Sequence, residues 1–185
     1  MRLKSISSVA LIAAGFLMQS AQCKADDDNT FFARFSGFQE LGALNAETGA
    51  IFSTGTGTLV LKVDRGNRLI NFQLKYSGLT NVTQSHVHFG KRHVPGGIMA
   101  FFCSNLTTAP AGTQPCPSTA GTVTGTITSA NVLGITGQGF PAGNFDALLA
   151  AIESNTAYGN IHTMMFPAGE IRGQVHDDHF DDSDL

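Results

Sequence analysis

The chain reads as all-β: an antiparallel sandwich or barrel of about eight strands carrying one short capping helix. Three observations point there. Gly, Thr and Phe are abundant, with 21 glycines and 14 phenylalanines in 185 residues, while the charged helix formers Glu, Lys and Arg are sparse. Turn residues recur at short intervals. Where apolar residues are dense they alternate with polar ones in period two, the spacing that turns one face of a strand toward a core. Roughly 150 residues between two acidic ends suit a single core.

Residues 30–38 open the domain as a strand. Leu59, Leu61 and Val63 alternate with Thr58, Val60 and Lys62, and Ile70, Phe72, Leu74 and Tyr76 alternate with Asn71, Gln73 and Lys75. The turn formers Asp64, Gly66 and Asn67 lie between these runs, which predicts a hairpin. Further strands are expected at Val82–Phe89 and at residues 97–102, 122–128, 160–166 and 170–175, the last two joined by a turn at 167–169. One segment breaks the pattern. Behind Asn144, a candidate N-cap, Phe145, Leu148, Leu149 and Ile152 recur at helical spacing as far as about Glu153, with Asp146 in the first turn. This predicts a short amphipathic helix lying on the sheets as a cap.

The two ends differ from the body. Arg2 and Lys4 precede an apolar or small-residue run from Val9 to Met18, and small residues near Ala21, Cys23 and Ala25 offer a cleavage site, the pattern of a signal peptide over residues 1–25. The run falls short of the roughly 20 apolar residues that a permanent span needs, so no transmembrane segment is expected. Lipid anchoring at Cys23 would want a small residue where Gln22 stands. Losing Arg2, Lys4 and Lys24 takes the formal charge from −3 to about −6. The acids collect in tails at residues 26–29 and 177–185, which read as solvated and disordered, with a domain of residues 30–176 between them. That body is nearly neutral, without the basic patch and interleaved aromatics of a nucleic-acid binder.

With Cys23 gone, Cys103 and Cys116 remain, flanking a loop of Ser, Asn, Thr, Ala, Gly, Pro and Gln. An oxidising compartment would join them, and closing a loop of this size is worth on the order of 3 kcal/mol. A free dithiol is the alternative, and the spacing does not suit a zinc knuckle.

The candidate functional residues are histidines. His86 and His88 lie two apart in Val82–Phe89, so an extended strand puts both imidazoles on one face, roughly 7 Å apart at their roots. Val87 and Phe89 take the apolar face, and the histidines, with Gln84, look toward polar surroundings or a cleft. His162, far downstream, is the third candidate. Together the three would make a nitrogen cluster suited to copper or zinc. His93, in the loop that follows, is an accessory residue able to swing toward the same place. Glu170 and Arg172, two apart on one strand face, read as a sheet-surface ion pair with each other or with Glu40, or as contacts for a charged ligand. His176 and His179 among the terminal aspartates read as part of a solvated tail. Asn81 and Asn105 begin glycosylation sequons, short patterns that arise often by chance. No nucleophile elbow, phosphate-binding loop or zinc-protease helix is found.

Several of these segments recur together in one known family. Ser85-His-Val-His-Phe-Gly90, Val94-Pro-Gly-Gly97, the helix after Asn144, Tyr158-Gly-Asn-Ile-His-Thr163 and Gly169-Glu-Ile-Arg-Gly-Gln174 resemble, in order and spacing, the CHRD (chordin-type) domain, over about residues 31–175. The resemblance implies a secreted or envelope module, stand-alone in many bacteria. At longer range, His-Val-His followed by Phe-Gly is similar to the copper-ligand strand of the Cu/Zn superoxide dismutases. That similarity implies a Greek-key-like, superoxide dismutase-like β-sandwich, with His86, His88 and His162 as copper ligands and Arg172 as an anion-guiding residue. No bridging histidine and no zinc loop accompany them.

Two functional expectations follow. The first is a secreted or periplasmic binding or structural module without catalytic machinery, partnered by an extracellular or envelope protein. The second is a protein that holds copper or zinc on His86, His88 and His162, with superoxide dismutase-like redox activity as its strongest form. Nothing besides the histidines points to a reaction, which favours the first.

Overall fold

The computed structural model describes residues 29–41 and 49–177. Within them the chain runs through β1 (Thr30–Ser36), β2 (Thr56–Asp64), β3 (Leu69–Ser77), β4 (Val82–Phe89), β5 (Gly97–Ser104), β6 (Gly121–Ile127), α1 (Phe145–Glu153), β7 (Ala157–Thr163), β8 (Ile171–Gln174) and β9 (His176–Asp177). All the pairings are antiparallel, and the strands form one sheet in the order β5-β4-β7-β8-β1-β2-β3-β6, with β9 added to β1. β1–β2–β3, β4–β5 and β7–β8 are hairpin neighbours, whereas β3 to β4 and β6 to β7 cross between distant parts of the sheet, in the Greek-key manner. The expected all-β architecture with one short helix is what the chain adopts.

The period-two alternation selects the core. Phe31, Ala33 and Phe35 of β1, Leu59, Leu61 and Val63 of β2, and Ile70, Phe72, Leu74 and Tyr76 of β3 are all buried, each set on one face of its strand. The helix begins where its cap demands: Asn144 Oδ1 accepts from the Ala147 N–H at 3.0 Å, which satisfies one of the donors left orphaned at a helix start. Phe145, Leu148, Ala151 and Ile152 are its buried face.

β5 and β6 are the sheet's two free edges, and an unusual strap bridges them. The Gln114 carbonyl accepts from Ser104 N–H at 2.9 Å, while Gln114 Nε2 donates to Phe102 O on β5 and to Thr124 O on β6, at 3.3 and 2.9 Å. Side-chain hydrogen bonds thus stand where a strand ladder is missing. The Cys103–Cys116 disulfide anchors this strap to β5. Asn105 locks its base, donating to Val82 O and Cys116 O and accepting from Cys116 N–H.

Besides shifts of one or two residues at the ends of β5, β6 and β8, three boundaries differ from the sequence reading. β1 stops at Ser36, and a 3-10 turn at Gly37–Gln39 follows. The strand expected at residues 160–166 is shifted to Ala157–Thr163, because the Thr163 hydroxyl accepts from Phe166 N–H and Gly169 N–H bonds Phe166 O, closing a turn over Met164 and Met165. Asp177, read as the start of a tail, pairs with Phe31 in β9. The expected signal peptide, most of the N-terminal tail and residues 178–185 with His179 lie outside the described residues. Among the described residues, no helix is long and apolar enough to cross a membrane.

One part of the sheet is covered on both faces. Every residue of β7 is buried, as are residues 85–88 of β4. The inward side is core. The outward side is polar, and the candidate histidines stand there.

Candidate metal centre

Strand pairing brings the site together. β4 lies beside β7 with Gln84 opposite His162, His86 opposite Asn160 and His88 opposite Tyr158, and β7 lies beside β8 with Asn160 opposite Arg172. Residues directly opposite one another share a face, so these side chains form one patch. His86 is 1% exposed, and His88 and His162 are each 7% exposed. The cleft expected for them is therefore a buried polar layer. Three irregular segments roof it: the loop between β4 and β5, the turn between β7 and β8, and the chain after β1.

The three imidazoles each offer a nitrogen, and these atoms lie within 4.8 Å of one another. His88 Nδ1 bonds Gly96 O and His162 Nδ1 bonds Pro167 O, both at 2.9 Å. A carbonyl only accepts, so Nδ1 carries the hydrogen in both rings, and in a neutral ring Nε2 is then a bare lone pair. Both Nε2 atoms stand 3.0 Å from Asn160 Oδ1. Three acceptors meeting in this way are in conflict. A cation among them, or a turned amide presenting its Nδ2 hydrogens, resolves it. Neither ring nitrogen of His86 has a hydrogen-bond partner; its ring packs edge-on against Phe101 at 4.3 Å and against His162 at 4.9 Å.

Burial keeps the rings neutral. Desolvation, and then the neighbouring His162 and His88, push His86 down to about 2, against a smaller rise from the nearby Asn160 side chain, which stands outside hydrogen-bonding geometry. Desolvation likewise takes His88 to about 4, against a rise from its bond to Gly96, and lowers His162. Neutral imidazoles are the form that binds metal. Backbone carbonyls that fix the tautomer from behind are the usual second support of such ligands.

A stack backs the cluster. His88 lies parallel to Tyr158, at 4.7 Å and 3°, and the Arg172 guanidinium carbon sits 3.3 Å from the centre of the Tyr158 ring, a cation–π contact. Arg172, only 2% exposed, donates to Lys91 O and Val94 O at 3.0 Å. It thereby pins the loop whose Gly96 carbonyl orients His88. Glu40 is buried near Asn160 and Arg172; burial raises its carboxyl, against the pull of the Leu41 N–H and of Arg172. At Gly169, with φ 131°, any side chain would collide with the Glu40 carboxylate and stand 3.1 Å from Asn160 Nδ2, so a glycine lets this pair approach.

The accessory expectations need correction. His93 is exposed, in a left-handed turn at φ 58°, and stands outside the cluster. Glu170 and Arg172 form no surface ion pair: Glu170 accepts from Ser53 and Thr163 hydroxyls at 2.6 and 2.7 Å, and Arg172 faces the loop carbonyls. Buried there, Arg172 does not present its charge to solvent as an anion guide would. Asn160, Tyr158 and Phe101 are not among the site residues read from sequence, and Glu40 enters there only as a possible partner of Glu170 and Arg172. For two of them a signal existed, since Tyr158, Asn160 and His162 follow each other in period two.

The model of the CHRD domain matches residues 31–175. The chain belongs to the CHRD-domain family. The match takes in all three histidines, Asn160, Tyr158 and Arg172, so the buried polar layer belongs to the CHRD domain itself. Comparison with curated proteins and with solved structures finds no match.

Proposed function

We propose that this CHRD domain is an exported binding module that holds one transition-metal ion on His86, His88 and His162. The observation that carries the reading is the convergence of three buried imidazoles, one of them without any hydrogen-bond partner. A buried, unsatisfied polar group costs about 1–3 kcal/mol, and a coordinate bond offsets that cost. Nitrogen donors suit copper and zinc alike, and a tetrahedral ion with bonds near 2.0 Å wants its ligands about 3.3 Å apart. The nitrogens, now up to 4.8 Å apart, would have to close by up to about 1.5 Å. The bound ion would supply a cross-link between β4 and β7, and copper would add a one-electron couple. Export is supported by the disulfide, since such bonds persist in oxidising compartments. Burial of the rings beneath Phe101 speaks for holding the ion rather than for dismutase turnover, which needs an open position.

Metal analysis of protein recovered from its native compartment tests this. About one copper or zinc per chain is expected, falling to background in His86→Ala and His162→Ala. A second reading, a metal-free interaction module, draws on the exposed Phe52, Met164 and Met165, which line one groove. Metal-free protein that takes up no added ion would leave that reading standing and remove the first.

A further inference from the structure

The charge inventory of the buried layer narrows the choice of ion. The metal-ligating group consists of three histidines and contains no carboxylate and no thiolate. The next donor, Asn160 Oδ1, is also neutral. The buried charged residues behind it are Arg172, Glu40 and Glu170; Glu170 is engaged by the Ser53 and Thr163 hydroxyls, neither carboxyl belongs to the ligating group, and the Arg172 charge lies across a single aromatic ring from His88. A divalent ion would therefore meet no anionic ligand, and its second charge would go unneutralised in the ligand shell, away from bulk water. The cost of desolvating an ion rises with the square of its charge, so a divalent ion pays about four times what a monovalent one does. Zinc sites usually lower that cost with an anionic ligand or a bound hydroxide in an open fourth position. Here the Phe101 edge occupies the space beside His86, and the loop carrying Gly96 covers His88.

Resting on the metal-binding reading above, we infer that this site is selective for a single cuprous ion over zinc. Three neutral nitrogens satisfy Cu(I) without water or a counter-anion, and its single charge is the least that a copper or zinc ion can bring into the layer.

Competition titrations of the full disulfide-bonded protein test the inference. In one arm, the anaerobic bicinchoninate complex of Cu(I) is the donor. In the other, Zn(II) is buffered by a chromophoric chelator. The expected result is one Cu(I) per chain, bound at least about tenfold more tightly than Zn(II). Asn160→Asp, which places a carboxylate at the ions' edge, should raise Zn(II) affinity about tenfold or more relative to Cu(I). Zn(II) bound as tightly as Cu(I) by the wild-type protein overturns the cuprous assignment and leaves the metal-binding reading intact. Failure of both ions to bind overturns both. An Asn160→Asp protein with unchanged selectivity overturns the charge argument, and if that variant does not fold, the wild-type comparison alone decides.

Discussion

His86 is the residue on which the chemistry turns, because it is buried with two idle nitrogens. Replacing a buried, unsatisfied polar group with an apolar one of similar shape is often neutral or stabilising. His86→Phe is therefore expected to gain about 1 kcal/mol in the metal-free protein while abolishing metal binding. Urea unfolding in chelator checks the first half, and a clear loss of stability would show that the imidazole makes an interaction that the structure does not contain. The same burial gives a pH signature. Above the ordinary histidine value of 6.5, neither folded nor unfolded chain is protonated at these sites and the shifts contribute nothing. As pH falls from 6.5 toward about 4 for His88, and toward about 2 for His86, the unfolded chain takes up protons that the fold refuses. Metal-free protein should thus lose stability over that window, on the order of 3 kcal/mol from His88 by pH 4. Arg172 adds to the resistance. Glu40, with its carboxyl raised from 4.5, acts in the opposite sense, since it favours the fold at low pH. A flat stability profile between pH 7 and 4 would contradict this account.

At the scale of elements, alternation made much of the sheet legible before any coordinates. β2 and β3 carry clean period-two patterns, and α1 shows its stripe and its Asn144 cap. β7 was misplaced because residues 164–166 look strand-like, while a hydroxyl at Thr163 and Gly169 close a turn there. The histidine face was legible as a face but not as a buried one. What buries it is irregular loop, held by carbonyls of Gly96, Pro167, Lys91 and Val94, and backbone carbonyls leave no pattern in a sequence. For the same reason Arg172 read as a surface ion pair. It is expected to be structural: Arg172→Met should destabilise by about 3 kcal/mol and loosen the loop over His88, seen as faster amide exchange at residues 91–96. Exchange there equal to wild type would place the loop's support elsewhere. The strap across the β5–β6 seam makes a similar test. Cys103→Ser with Cys116→Ser should cost about 2–4 kcal/mol, and loss of strap order should appear first at Gln114.

Across the whole molecule, one half of a nearly closed sheet has a core on one face and solvent on the other, while β4, β7 and β8 are covered on both. A fold accepts a polar layer under loops only where its groups find partners. Arg172 and Glu170 do; the three imidazoles find theirs only in part. That imbalance is the central claim, and metal content per chain tests it most directly. Protein isolated from its native compartment should carry about one copper ion per chain, lost in His86→Ala while the fold, read by its disulfide-dependent urea midpoint, survives. A chain recovered without metal, and indifferent to Cu(I) and Zn(II) supplied in excess, would contradict it.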